Sequence, residues 1–214
     1  RCVIAANGDR SMQVDRIEYD IVVVGAGIAG VAAANKAMEE GAKVLLVSKD
    51  PLLASDTKIS EGIISVRGSG GDDDTADEFK SNMMTSGAGL SDADLVSPIA
   101  ENSPGGFDWL VKNGLRHKFD PETGKPLPLG TPMGGHSMAR SVNVENSGLA
   151  HAHALLHAAI ANGNIDYLED AWFIDLYREV GDQGRVKGGL IYHATQGKFI
   201  SVIKGKIFDV VVDL

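Results

Sequence analysis

An α/β fold built on a parallel sheet, with an antiparallel β-meander as its crossover layer, is predicted by three observations. The first is a strand, a glycine turn, a helix and a second strand in immediate succession between residues 19 and 50. The second is the G-x-G-x-x-G spacing of Gly25-Ala26-Gly27-Ile28-Ala29-Gly30, placed where the strand ends and the helix opens. The third is a set of short apolar segments at residues 165–168, 172–179, 186–194 and 198–204, separated by turn residues. Alternating strand and helix give a Rossmann-like parallel sheet, and closely spaced strands with tight turns give the meander.

Taken in chain order, residues 1–18 read as a loose polar lead-in. Arg1-Cys2-Val3-Ile4-Ala5-Ala6 lacks an initiator methionine and a long apolar segment, so it reads as a trimmed end and not as an intact signal peptide. Cys2 is the only cysteine, which excludes an internal disulfide and a cysteine-based metal or redox pair within the chain. The run Tyr19-Asp20-Ile21-Val22-Val23-Val24 is the first strand of the sheet. At the turn, Gly25 makes the sharp bend, Gly27 lets the backbone approach a pyrophosphate, and Gly30 lets the helix pack closely on the strand. The helix N-terminus then presents N–H groups and the positive dipole end to an anion. With 26 glycines in 214 residues, the pattern alone says little; its placement in a strand-turn-helix-strand unit is what points to a dinucleotide.

The second strand, residues 43–47, leads into Val47-Ser48-Lys49-Asp50 where an acidic ribose partner is expected. Ser48 takes that place, with Asp50 as a second candidate just beyond, and an ordinary NAD site becomes less apt. Lys49 is either a contact for a 2′-phosphate or a solvated charge. Residues 51–66 form a loop, and Gly68-Ser69-Gly70-Gly71-Asp72-Asp73-Asp74 is a flexible acidic turn without the alternating ligand spacing of a calcium loop. It reads as a solvated loop and cap for a helix at residues 75–87. A second helix is predicted at 92–113, kinked or divided at Ser103-Pro104-Gly105-Gly106, because proline removes a donor and clashes with the preceding turn. Residues 120–126 are rich in turn formers.

Residues 148–161 form a helix carrying Leu149, Leu155, Leu156 and Ile160 together with His151, His153 and His157. His153 and His157 share a face while His151 lies well round from His153, and no HExxH pairing occurs, so no metal site is read here. After the meander, residues 207–212 return to the sheet as a further strand. The net charge of −9 argues against a general nucleic-acid surface. The apolar stretch 21–34 is too short and too interrupted by glycine to span a membrane.

An ordered set of landmarks resembles the flavoprotein family of succinate dehydrogenase, fumarate reductase and L-aspartate oxidase. Tyr19-Asp20 enters the first strand and Val47-Ser48-Lys49 leaves the second. Residues 55–63, Ser55-Asp56-Thr57-Lys58-Ile59-Ser60-Glu61-Gly62-Ile63, are similar to the family's Ser-x-Thr-x-x-x-x-Gly-[Gly/Ile] loop. Asp108-Trp109-Leu110 with Gly114, Gly134-Gly135-His136-Ser137 with Arg140, and Gly148 opening a helix with Leu155 and Leu156 follow in order. The resemblance covers about residues 19–212 and implies FAD, bound by an incomplete FAD-binding Rossmann-like domain of glutathione-reductase type at 19–214. Where membrane-bound relatives have a flavin-linked histidine, this chain has Asp56; a carboxylate makes no histidyl-flavin bond, so the FAD is expected to be non-covalent. Asp56 read as a loop residue or helix cap leads to the same expectation.

The site implied by the resemblance comprises Gly25, Ala26, Gly27, Ile28, Ala29 and Gly30 at the diphosphate, and Val47, Ser48 and Lys49 at the ribose. Ser55, Asp56, Thr57, Ser60, Glu61, Gly62 and Ile63 line the flavin, and the backbone of Trp172 and Phe173 meets the adenine. His136 either touches the substrate or flavin or is a structural loop histidine, and with Arg140 it does not complete an acid–base set. The resemblance implies hydride exchange between flavin N5 and a dicarboxylate such as succinate or fumarate. The alternatives are an amino-acid oxidase similar to L-aspartate oxidase, or an FAD-binding or scaffold subunit without turnover. The family's second glycine turn and its capping domain fall beyond Leu214. The expected partners are therefore a polypeptide supplying that domain, an iron–sulfur electron-transfer subunit and a small dicarboxylate, with no nucleic acid. The expected location is cytoplasmic, with membrane association arising only through partner subunits.

Overall fold

A computed structural model describes residues 2–5, 11–52, 54–161, 163–178, 186–203 and 206–208. Along the chain the elements are β1 (Cys2–Ala5), β2 (Ser11–Ile17), β3 (Ile21–Val24), α1 (Ile28–Glu39), β4 (Val44–Val47), α2 (Asp56–Ile59), β5 (Ile63–Ser65), α3 (Ala76–Ser86), α4 (Ala93–Lys112), β6 (Ser141–Asn143), α5 (Ser147–Ala161), β7 (Ile165–Leu168), β8 (Ala171–Arg178), β9 (Val186–His193), β10 (Lys198–Ile203) and β11 (Lys206–Phe208). They form two compact units, one of residues 1–56 with 155–214 and one of residues 57–154.

The first unit holds the predicted parallel sheet in the order β11-β3-β4-β7, every pairing parallel. A central parallel strand is covered on both faces, which is why Val44, Leu45, Leu46 and Val47 form an unbroken apolar run and are each at most 1% exposed. Leu45 and Val47 join Val22 in a core shared with Ala171, Ile191 and Ile200 of the meander, with Phe173 packed against it. Strand geometry then sends Val44 and Leu46 to the opposite face. Helix α1 packs on β3 and β4. It buries Val31, Ala34 and Met38 together with Asn35, whose amide donates to Val31 O at 2.9 Å and Leu155 O at 3.1 Å.

The meander is antiparallel through β8, β9 and β10, as predicted, and continues on its far side into β2 and β1. Here the structure corrects the sequence reading. Residues 2–5 and 11–17, expected to lie in a loose lead-in, are strands, β2 pairing in parallel with β10 and antiparallel with β1. Only half of Ser11–Ile17 is apolar, so the segment gives a weak strand signal by itself, and its partner in β10 is remote in sequence. The predicted turn at residues 181–184 and the end of the returning strand, 209–212, lie outside the described residues.

In the second unit β5 and β6 pair antiparallel, and Val66, Phe107, Leu115, Val142, Val144 and Ala154 form the core. Helix α3 starts as predicted, with the Thr75 side chain accepting from Glu78 N at 3.2 Å. Helix α4 does not divide: it runs for 20 residues through Pro98 and Pro104. Proline at 104 leaves the Ala100 carbonyl without its helical donor. Arg67 supplies the missing group, its Nε donating to Ala100 O at 3.0 Å and its Nη2 to Glu101 O at 3.0 Å. A second correction concerns the acidic turn. Asp72 is exposed and pairs with Lys125, but Asp74 is 3% exposed and receives Arg140 Nη2 at 2.7 Å and Nε at 3.0 Å.

Candidate functional site

The parallel-sheet unit contains a cleft of about 310 Å³ lined by Gly25, Ala26, Gly27, Ser48, Lys49, Asp50, Pro51, Ala54, Ser55 and Asp56. It lies where β3 and β4 end, the usual ligand position in a parallel α/β sheet. Each part of the lining follows from local structure. Gly25 has φ of 101°, and its amide donates to Val47 O at 2.8 Å, so the turn is tied to the end of β4. At Gly30 a Cβ would stand 1.9 Å from Gly25 O, so only glycine lets α1 start this close to the turn.

Helix α1 begins at this cleft. Its N-cap is Gly27, which has no side chain to cap it, and no acidic residue stands in the first turn. The positive end of the helix dipole is thus left for a negatively charged group. Ser48 is 8% exposed, its amide donating to Leu168 O at 2.8 Å and its carbonyl accepting from Ala171 N at 2.9 Å. Lys49 and Asp50 are exposed, 3.8 Å apart, and Lys49 Nζ lies 6.0 Å from the centroid of the Trp172 ring. Ser55 Oγ is buried without a hydrogen-bond partner among the described residues. A buried hydroxyl left unpaired is costly, so its presence on a cleft wall fits a polar ligand that supplies the partner.

The structure therefore brings together Gly25, Ala26, Gly27, Ser48, Lys49, Ser55 and Asp56, with Asp56 as the first residue of α2. Ile28, Ala29 and Gly30 form the first turn of α1 behind the glycine bend, and Val47 is the buried end of β4. Trp172 is exposed at the start of β8, whereas the Phe173 ring occupies the space a side chain at Gly189 would need. Thr57, Ser60, Glu61, Gly62 and Ile63 are not among the lining of this cleft; they belong to the second unit, where the loop closes on the start of α5. Gly148 N donates to Ser60 O at 3.0 Å, and a Cβ at Gly148 would fall 1.9 Å from Thr57 O. Pro51 and Ala54 carry no chemical signature that marks them in the sequence, and they join the site only because the loop after β4 folds back.

The remaining sequence candidates behave differently. Arg140 is 0% exposed, and its guanidinium is committed to Asp74, to Asn82 Oδ1 at 2.7 Å and to His136 Nδ1 at 3.0 Å, with Phe79 stacked 4.6 Å away. It is an internal anchor and has no face for a substrate. Because arginine only donates, His136 Nδ1 accepts and the ring proton sits on Nε2. Burial, and then the Arg140 charge, push the His136 pKa below its usual 6.5. In α5, His151 is buried, its Nε2 has no partner among the described residues, and burial lowers its pKa; His153 and His157 are exposed. No helix among the described residues is long and apolar enough to cross a membrane.

Residues 20–208 match the family described as FAD binding domain, and the chain belongs to that family. It is 30% identical to an L-aspartate oxidase of Streptomyces coelicolor over 184 residues, covering 85% of this chain and 30% of the relative. It is 35% identical to a urocanate reductase of Eggerthella lenta over 136 residues, covering 61% of this chain and 21% of the relative. Among solved structures, the Mycobacterium smegmatis Sdh1 complex in its apo form superposes with a TM-score of 0.82 at 22% identity, over 91% of this chain and 34% of that one, a likeness of fold. The chain thus spans about a third or less of the length of these proteins. FAD is its cofactor, and the glycine turn at the start of α1 and the Ser55 hydroxyl, unpaired among the described residues, suit that molecule.

Proposed function

We propose that the cleft between the glycine turn and residues 48–56 holds FAD non-covalently, in a flavin-dependent oxidoreductase that exchanges a hydride with a small dicarboxylate. The observation that carries this reading is the joint presence, in one cleft, of a helix N-terminus capped by glycine and without an acidic first turn, a glycine bend and a buried hydroxyl unpartnered among the described residues. The α1 N-terminus receives the diphosphate, Ser48 meets the adenosine ribose and Ser55 meets the flavin end of the cofactor. Asp56 provides no nucleophilic nitrogen for a covalent flavin bond. When bound, FAD supplies hydride chemistry at N5, and the protein orients it.

Turnover also needs a proton donor in hydrogen-bond reach and cationic groups that orient two carboxylates. Arg140 is spent on Asp74, and His136 offers only its Nε2 proton. The cationic and proton-donating groups are assigned to a capping domain outside residues 19–214, and electron delivery to an iron–sulfur subunit. An amino-acid oxidase is the second reading, favoured by the similarity to L-aspartate oxidase across most of the chain.

Two measurements test the proposal. Acid precipitation of the FAD-loaded protein should release all yellow colour to the supernatant, and Gly27→Val should weaken FAD binding by more than about tenfold while the chain stays folded. Flavin retained in the pellet refutes non-covalent binding, and unchanged affinity in the folded variant refutes the cleft. With the capping-domain polypeptide added, the reduced protein should be reoxidised by fumarate; reduction of the oxidised protein by L-aspartate instead would move the assignment to the second reading.

A further inference from the structure

We propose that Glu169 is a positioning residue for the dinucleotide cleft, fixing the wall that carries Ser55 through its carboxylate on the Leu52 amide. The inference rests on the reading of the cleft as the FAD site. Glu169 Oε1 accepts from Leu52 N at 2.7 Å, across 117 residues of sequence. The base from which it reaches is held firmly. The turn between β7 and β8 straddles Ser48, with Leu168 O accepting from Ser48 N at 2.8 Å and Ala171 N donating to Ser48 O at 2.9 Å. Asp170, inside that turn, has φ of 50°, and its carbonyl accepts from Ala194 N at 2.9 Å, which ties the turn to the meander as well.

Glu169 is thus a short rigid arm extending from the two-sheet core to the loop after β4. On the loop side, Leu52 is 6% exposed and Ala54 N donates to Pro51 O at 2.9 Å, so the captured amide sits at the root of a tight turn leading to Ser55. A charged acceptor on a backbone amide is among the stronger hydrogen bonds. Without it, the wall loses this tie to the turn between β7 and β8, and the cost of ordering it falls on cofactor binding. Geometry separates this role from general stabilisation. Glutamine keeps an acceptor at the same reach, whereas aspartate keeps the charge but is one methylene short.

The test compares Glu169→Ala, Glu169→Asp and Glu169→Gln with the parent chain by FAD fluorescence titration and by hydrogen exchange at the Leu52 amide. Asp166→Ala serves as a control that loses the hydrogen bond donated by Tyr19, in the link between β2 and β3, without touching the loop. The alanine and aspartate variants should raise the FAD Kd about tenfold and speed exchange at Leu52, while glutamine stays within about threefold and Asp166→Ala within about twofold. Should the alanine variant not fold, the aspartate and glutamine pair carries the comparison. Equal shifts in aspartate, glutamine and Asp166→Ala variants, or no shift in any, overturn the proposal. Slow Leu52 exchange restored by glutamine, with FAD affinity unmoved even by Gly27→Val, keeps the arm but removes its proposed purpose, so failure of the cleft reading is distinguishable.

Discussion

Among the described residues of the parallel-sheet unit the largest fully buried side chains are Leu45, Leu46, Leu155, Ile191, Val23, Val44 and Val47, whereas in the unit of residues 57–154 the largest is Arg140. One interior is set by transfer of apolar surface from water, which is non-directional and tolerant of shape. The other adds a polar assembly in which Asp74, Asn82, Glu78, Ser137 and His136 surround or extend from one guanidinium. Ser137 Oγ donates to Glu78 Oε1 at 2.5 Å, and Ser137 N to Asn82 Oδ1 at 2.9 Å, so α3 and the loop before β6 are joined through side chains. The contrast teaches that the two units should fail by different routes. A polar assembly fails when one member is lost, because the rest are left buried without partners.

The largest effect is therefore expected at Arg140. Arg140→Met leaves the Asp74 carboxylate buried without its cation and should cost about 3–5 kcal/mol in urea unfolding. Adding Asp74→Leu to the same chain should recover much of that loss, since an apolar pair of similar volume is often as stable as a buried ion pair. A cost near that of an ordinary surface change, about 0.5 kcal/mol, would remove the distinction between the units.

A smaller effect is expected in the apolar unit, at its tightest backbone approach. Gly30→Ala places a methyl group 1.9 Å from Gly25 O, and because the obstacle is backbone, the turn itself must move. Overpacking of this kind costs about 1–3 kcal/mol. Thermal melting with and without FAD should show a lower Tm in both cases and a smaller FAD-induced rise, because the displaced turn lines the cleft proposed for FAD. An unchanged FAD-induced rise would show that the turn and the cofactor site are separate.

The smallest effect sharpens the comparison through pH. His136 in the second unit has a lowered pKa, so its neutral form contributes stability that is complete above 6.5 and is lost as the pH falls below that value. Tyr19 in the first unit is raised to about 12 by burial, by its hydrogen bond to Asp166 and by that carboxylate's charge. Its contribution is complete below 10 and is lost as the pH rises from 10 towards about 12. His136→Ala should flatten the acid limb of the stability profile only, and Tyr19→Phe the alkaline limb only. Chemical denaturation at intervals of one pH unit checks both, and a shift of the opposite limb in either variant would contradict the assignment.

The sequence by itself determined the parallel sheet, the glycine cradle, the meander and the membership of an FAD-binding family. These are properties of neighbouring residues: an apolar run such as residues 44–47, a glycine bend between strand and helix, and strands separated by short turns all announce themselves within a few positions. Ser48 was legible for the same reason, as the polar residue that ends the second strand, and Ser55 through the resemblance of its loop to the family's. What only the tertiary structure decided rests on partners remote in the chain. Arg140 meets Asp74 across 66 residues, Arg67 fills the gap that Pro104 leaves in α4, β2 finds β10, and Glu169 reaches Leu52 across 117 residues. In each case the residue type fits an exposed position equally well, and hydrogen-bond direction, which composition and periodicity do not encode, fixes its role.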